Sequence, residues 1–334
     1  MMLEWKELAI FVASLVVMFW ASGRLATALE RIGTRLRFSD GLLGIVTALG
    51  ADAPEICSAF AALLSGQHEV GIGVVIGSNI FNLAGLLGLS ALVAGRVTIG
   101  RQGLWFNGGT SLIVSAVVVA LVVQWISVLT SLLLLTLVLV PYVALMAMHP
   151  PQIDKFRLPS AMKSFFSTAV GHSHNDAWKR LNIPHASWKD AVWAIVSIIL
   201  IVVSSFSAVD SAVSLGSHWG ISEAVLGMLI LAALTSVPNV IAAIHLAREG
   251  RGAAVVSESL NSNTLNILVG VCLPALLIGF SQPTSAIIYA VIWLFFMKFV
   301  AIVAASHRNG LHRVGGAVIV MLYLLFALAI MLWK

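Results

Sequence analysis

The chain has 334 residues, of which 60% are hydrophobic and only 10% charged, with a formal net charge of +5. Ordinary water-soluble domains carry about 25% charged residues, so this composition excludes one. A nucleic-acid surface would cluster its basic residues, whereas here they recur in short loops along the chain.

Ten apolar segments are long enough to cross a bilayer core, which takes about 20 residues. They lie at roughly 8–29, 41–64, 70–94, 104–123, 126–148, 190–211, 221–247, 253–279, 284–306 and 314–333. The opening "MMLEWKELAI" carries two glutamates against one lysine, so segment one reads as a transmembrane helix rather than a cleaved leader. Residues 149–189 form the one long polar break, read as a cytoplasmic loop. Its "GHSHNDAW" holds His172 and His174, read as ordinary solvated histidines. Cys57 and Cys272 fall in apolar segments and indicate neither a disulfide framework nor a metal motif.

Of the 19 basic residues, 16 lie in every second loop: after segments one (Arg24 to Arg37), three (Arg96, Arg101), five (Lys155 to Lys189), seven (Arg248, Arg251) and nine (Arg308, Arg313). Cytoplasmic loops carry such an excess, which places both termini outside the cytoplasm. Lys298, inside segment nine, is expected to snorkel toward the cytoplasmic face.

Segments two and three resemble segments seven and eight. An offset of 184 residues aligns Pro54 with Pro238, Gly66 with Gly250, and Ser78, Asn79 and Asn82 with Ser262, Asn263 and Asn266. Segment two runs outward and segment seven inward, so the repeats are inverted, an arrangement found in secondary transporters. The fold expected is an all-α membrane protein of ten helices in two inverted five-helix repeats. Residues 1–148 form the first (core repeat about 41–94) and 190–334 the second (about 221–279), with helices two and seven broken at their prolines.

Proline removes a backbone donor and disturbs the carbonyl four residues earlier, here Gly50 and Leu234. Asp52 and Glu55 stand beside the first proline, and Thr235, Ser236 and Asn239 beside the second. Ser78 and Asn82 share a helix face at i, i+4, as do Ser262 and Asn266. All are oxygen donors suited to hard cations. A carboxylate at mid-membrane costs roughly 2.5 kcal/mol or more, so acids there point to function. Glu258, one turn before Ser262 on the same face, is a further candidate that lines the cytoplasmic pathway or adds charge.

"ALGADAPE" with "GSNIFN", then "ALTSVPN" with "SNTLN", resembles the two alpha-repeats of the cation/calcium exchanger superfamily. The second repeat is similar to that of the potassium-dependent branch. The resemblance implies that segments two, three, seven and eight form an ion-binding core. Segments one and six would be long helices that slide to alternate access. It also implies antiport of Ca²⁺ against Na⁺ without a cofactor, in a plasma (inner) membrane; exchange against protons, or carriage of another divalent metal, is the alternative. Each family repeat usually has an acid after its proline: Glu55 matches the first, while Asn239 takes the second position. Asp52 stands where a hydroxyl is usual, and Asn261 where a glycine is usual. A channel and an intramembrane hydrolase are the competing classes. The hydrolase lacks a His-Glu-x-x-His pair or a usable serine–histidine arrangement. Lipid and metal cations are the expected partners; nucleic acid is not.

Overall fold

The computed structural model describes residues 2–148, 150–153, 155, 157, 159–176, 187–272, 274, 282–307 and 310–333. The chain is nearly all helical: α1 (Met2–Arg35), α2 (Asp40–Leu64), α3 (His68–Asn82), α4 (Ser90–Ala94), α5 (Arg101–Val122), α6 (Val128–Ala147), α7 (Pro150–Ile153), α8 (Ser160–Asp176), α9 (Trp188–Trp219), α10 (Glu223–Val225), α11 (Ala232–Arg248), α12 (Gly252–Ile267), α13 (Ser285–Ser306) and α14 (Arg313–Met331). Three-residue strands β1 (Arg96–Thr98) and β2 (Gly310–His312) pair antiparallel, Val97 opposite Leu311.

Among the described residues, nine helical stretches are long and apolar enough to cross a membrane. The predicted segment 253–279 is described as α12 and the turn that follows, to Cys272; its remainder, apart from Pro274, lies outside the described residues, as does the Cys272 side chain. So do the His172 and His174 side chains. The surface is apolar where a soluble protein's would be polar. Val16, Leu137, Ile195, Val203 and Leu324 face outward, and Trp5, Trp125, Trp188 and Trp219 stand exposed at helix ends, as in a membrane-interface belt. Polar side chains such as Asp52, Glu55, Asn82 and Asn266 are buried instead.

The expected breaks in helices two and seven are not present. α2 runs unbroken through Pro54, and α11 through Pro238. A proline removes its own N–H donor and crowds one carbonyl a turn earlier, a local disturbance, and the turns around it are packed with buried residues such as Ala59 and Ala243. The irregularity appears elsewhere, as π-helical turns over Leu83–Leu89, Leu226–Leu231 and Leu268–Cys272. Two of these begin just after Asn82 and Asn266, the residues matched by the 184-residue offset. Gly66 and Gly250, matched by the same offset, both take positive φ, 80° and 77°, at the ends of α2 and α11.

α1 and α9 are longer than their predicted segments and pack antiparallel. A capping box of Ser187 and Asp190 starts α9, and left-handed Gly220 stops it. Arg31 pairs with Asp190 at 3.1 Å at one end, and His218 meets Glu4 at the other. The α1–α2 contact is close at Gly50, where a Cβ would lie 3.1 Å from the Ala26 backbone.

The basic loops gather at one end of the helical body. β1 and β2 join the loops after segments three and nine. Gly252, after segment seven, packs so close to Thr98 that a Cβ would lie 2.3 Å from its nitrogen. Ser39, after segment one, donates to the Met146 carbonyl at 2.7 Å. The 149–189 stretch is not simply a loop: α8 docks there through Phe166 on Phe106 of α5.

Helix α3 meets the π turn of Leu226–Leu231 through glycines. A Cβ on Gly77 would stand 2.2 Å from the Met228 carbonyl oxygen, and one on Gly227 2.6 Å from that of Val70. Backbone cannot yield there without parting the helices. Gly77→Ala should therefore lower stability by roughly 1–3 kcal/mol, read as a lower melting temperature of the detergent-solubilised protein. An unchanged melting temperature would contradict this packing.

Candidate functional site

The helices α2, α3, α11 and α12 converge in the interior, and Asp52 and Glu55 lie at their meeting point, each 1% exposed. Glu55 Oε1 accepts from Ser236 Oγ at 2.7 Å and from Asn239 Nδ2 at 3.4 Å. Its Oε2 accepts from Asn266 Nδ2 at 2.5 Å. Asp52 Oδ1 accepts from Asn239 Nδ2 at 2.9 Å. One asparagine amide thus bridges the two acids that α2 presents at i, i+3. Asn82 Nδ2 donates to Ser262 Oγ at 3.4 Å, joining α3 to α12. Ser78 and Asn82 also face the Glu55 carboxylate, and Ser262 faces Asp52.

Nine of the ten residues singled out in the sequence are therefore buried at this centre or beside it. Thr235 is buried, but its hydroxyl turns back to the Leu231 carbonyl at 2.8 Å. Ser78 Oγ likewise donates to the Val75 carbonyl at 3.1 Å. Glu258 stands apart: it is partly exposed, one turn before Ser262 on α12.

Several buried oxygens here have no hydrogen-bond partner: Asp52 Oδ2, Asn82 Oδ1 and Asn266 Oδ1. All three are acceptors. A buried acceptor without a donor costs about 1–3 kcal/mol, and a cation relieves several at once. Among the described residues no three His, Cys, Asp or Glu side chains converge, so the donor set is two carboxylates supplemented by amide and hydroxyl oxygens. Such oxygens suit a hard cation and not a soft one.

Sequence reasoning missed three features around this centre. Asn79 and Asn263 meet where Asn263 Nδ2 donates to the Asn79 carbonyl at 3.1 Å, tying the repeat-matched positions of α3 and α12 together. Tyr142 bonds to Asn261, and to Asn107 at 2.9 Å, while Asn261 Nδ2 donates to Ser257 at 3.2 Å. Lone Asn107 and Tyr142 in apolar segments were the available signal. Lys298 is the third and corrects an expectation. It does not snorkel: it is 0% exposed, and Nζ donates to Ser115 Oγ at 2.7 Å. Fourteen residues into α13, it reaches Ser115 on the neighbouring helix α5 and not a helix end.

A helical body with an apolar exterior and a buried core of carboxylate and amide oxygens is an integral, multi-pass membrane protein. Residues 6–149 and 189–332 match the sodium/calcium exchanger protein family, and the chain belongs to it. CaxA of Alkalimonas amylolytica is 26% identical over 269 residues, 76% of this chain and 75% of that protein. Sodium/potassium/calcium exchanger 1 of Mus musculus is 37% identical over 138 residues, covering 39% of this chain and 12% of the mouse protein. Among solved structures, the sodium-calcium exchanger NCX_Mj soaked with Na⁺ and Sr²⁺ superposes with a TM-score of 0.59 at 19% identity, over 99% of this chain and 100% of that one. The H⁺/Ca²⁺ exchanger CAX gives 0.71 at 16% identity, over 96% of this chain and 82% of that one.

Proposed function

We propose that the chain is a secondary antiporter that exchanges Ca²⁺ for Na⁺ by alternating access, and that Asp52, Glu55 and their neighbours hold the transported ion. The observation that carries this reading is the Glu55 carboxylate bonded by Ser236, Asn239 and Asn266 from two other helices, with unpaired acceptor oxygens beside it. In this reading Ser78, Asn82, Thr235 and Ser262 complete the coordination, and Glu258 lines the cytoplasmic approach. The ten helices form two inverted repeats around the ion site. Both termini face away from the cytoplasm of an inner or plasma membrane. α1 and α9, clasped to each other at both ends, slide as a pair across α2, past the close Gly50–Ala26 approach, to open one side and then the other. The protein performs transport, not covalent catalysis.

Exchange against protons is the second reading, favoured by Asp52, a second carboxylate where the family usually has a hydroxyl. Flux from proteoliposomes loaded with Na⁺, K⁺ or a proton gradient, tested against Ca²⁺ and other divalent cations, separates the two. Ca²⁺ movement that responds to Na⁺ supports the first, and movement that responds to protons alone supports the second. No response to any cation gradient would end both.

A proton neutralises a carboxylate ligand, so a divalent ion and a proton compete for the pair. Ca²⁺ affinity should fall as pH falls from about 8 to about 5, measured by titration of the purified protein. An affinity flat over that range would remove the carboxylates from the site.

A further inference from the structure

Lys298 is an ionisable side chain placed wholly inside a membrane body, and the ion site does not use it. Its Nζ donates to Ser115 Oγ on α5, Ser115 Oγ donates to the Ser111 carbonyl at 2.9 Å, and Ser111 Oγ donates to the Leu260 carbonyl at 3.4 Å. Leu260 lies two residues before Ser262 on α12. The lysine is thus tied to α5, and α5 is tied through the Ser111 hydroxyl to the backbone of the helix that carries Ser262 and Asn266.

No carboxylate among the described residues lies within ion-pair distance of Nζ. The elements packed against α13 are α3, α5, α14, β2 and the π turn after α3. Their titratable groups stand mostly at element ends: His68 and Glu69 on α3, Arg101 on α5, His312 on β2 and Arg313 on α14. Glu69 is engaged by Thr284 at the start of α13, about 20 Å along the helix from Lys298. Tyr323 of α14 packs on Phe81, and the π turn carries no titratable group. The carboxyl groups nearest the ion site are Asp52, Glu55 and, partly exposed, Glu258.

A desolvated ammonium with one hydroxyl partner is costly, and so are two adjacent carboxylates without a cation. Across a low-dielectric interior the two costs offset each other while the acids are unoccupied. A divalent cation between the acids cancels the field that favours the ammonium.

We propose that Lys298 is a proton-binding residue linked to the ion site, holding a proton while the Asp52–Glu55 site is empty and releasing it as a cation binds. The N–H bond breaks, its electron pair stays on nitrogen as a neutral amine, and the proton goes to bulk water. The neutral amine keeps N–H groups, so its bond to Ser115 survives the change. By reciprocity, proton uptake at Lys298 weakens cation binding. This inference rests on the reading of Asp52 and Glu55 as the ion site.

The test measures Ca²⁺ binding and proton release together, on purified protein in weakly buffered detergent solution near neutral pH. Wild type should release protons on Ca²⁺ addition. Lys298→Met, which removes the charge, should bind Ca²⁺ on the order of tenfold more tightly and release fewer protons per ion bound. Lys298→Arg, which fixes the charge, should bind more weakly and also release fewer. Opposite signs for the two variants distinguish linkage from a packing role, which would weaken both. Proton release per bound ion equal to wild type in Lys298→Arg would overturn the inference, even if Lys298→Met does not fold. Absence of Ca²⁺ binding by the wild type would overturn the exchange reading itself, and this inference with it.

Discussion

Replacing Glu55 with glutamine should abolish Ca²⁺ exchange, by at least a hundredfold on the scale that a loss of about 3 kcal/mol implies, while the protein still folds and inserts. Glu55 contributes two acceptor oxygens, and three side chains from α11 and α12 donate to them. Glutamine keeps the size and one carbonyl oxygen but removes the charge. It also turns an NH₂ toward a neighbour that is itself a donor, Ser236 or Asn266. Folding should survive because the surrounding packing comes from apolar residues such as Ala59, Ile76 and Leu231. Size-exclusion profile and melting temperature report the fold, and ⁴⁵Ca²⁺ flux reports the function. Near-normal flux in Glu55→Gln would remove the site assignment.

Asn239→Asp should do more harm than its resemblance to the family pattern suggests. The substitution restores the acid usually found after the second proline. Here, however, the Asn239 amide donates to Asp52 Oδ1 at 2.9 Å and to Glu55 Oε1 at 3.4 Å. An aspartate would set lone pairs against lone pairs and add a third negative charge. At these separations each pair of charges repels by about 5 kcal/mol at an effective dielectric constant near 20. The variant should be markedly less stable in chelator and should recover with added Ca²⁺, by a larger shift in melting temperature than wild type shows. Equal Ca²⁺-dependent shifts in both proteins would mean that Asn239 does not bridge the acids. The chain therefore carries its two carboxylates on α2 alone, with Asn239 as the donor that holds them together.

Most of the membrane architecture was legible in the hydropathy pattern, because a bilayer demands about 20 apolar residues per helix wherever it is crossed. The basic loops could be placed on one face from charge alone, and the β1–β2 pair and the Ser39–Met146 bond join several of them at one end. The core positions were legible because proline, acids and Ser-Asn-x-x-Asn are rare in lipid-facing helices and recur at one offset. Continuity of α2 through Pro54 was not legible: proline's local effect is fixed by its chemistry, but whether a helix breaks depends on the packing around it. The π turns have no sequence code of their own. Lys298 was misread because a lysine in an apolar helix looks the same whether its stem reaches the interface or points inward to Ser115. Tyr142, Asn107 and Asn261 come from three different helices, and only the assembled fold brings them together. Asn261 itself occupies the position matched to Gly77. The glycine lets α3 touch the Met228 backbone, whereas the asparagine has room to reach Tyr142.

An exchanger couples the movement of one cation to the gradient of another, whereas a leak does not. Proteoliposomes carrying the purified protein, with a cation gradient directed outward, distinguish the two. Uphill accumulation of ⁴⁵Ca²⁺ is expected, stopping when the opposing gradient is collapsed and lost in Glu55→Gln. Uptake that only runs down its own gradient and ignores the ion on the other side would rule out exchange.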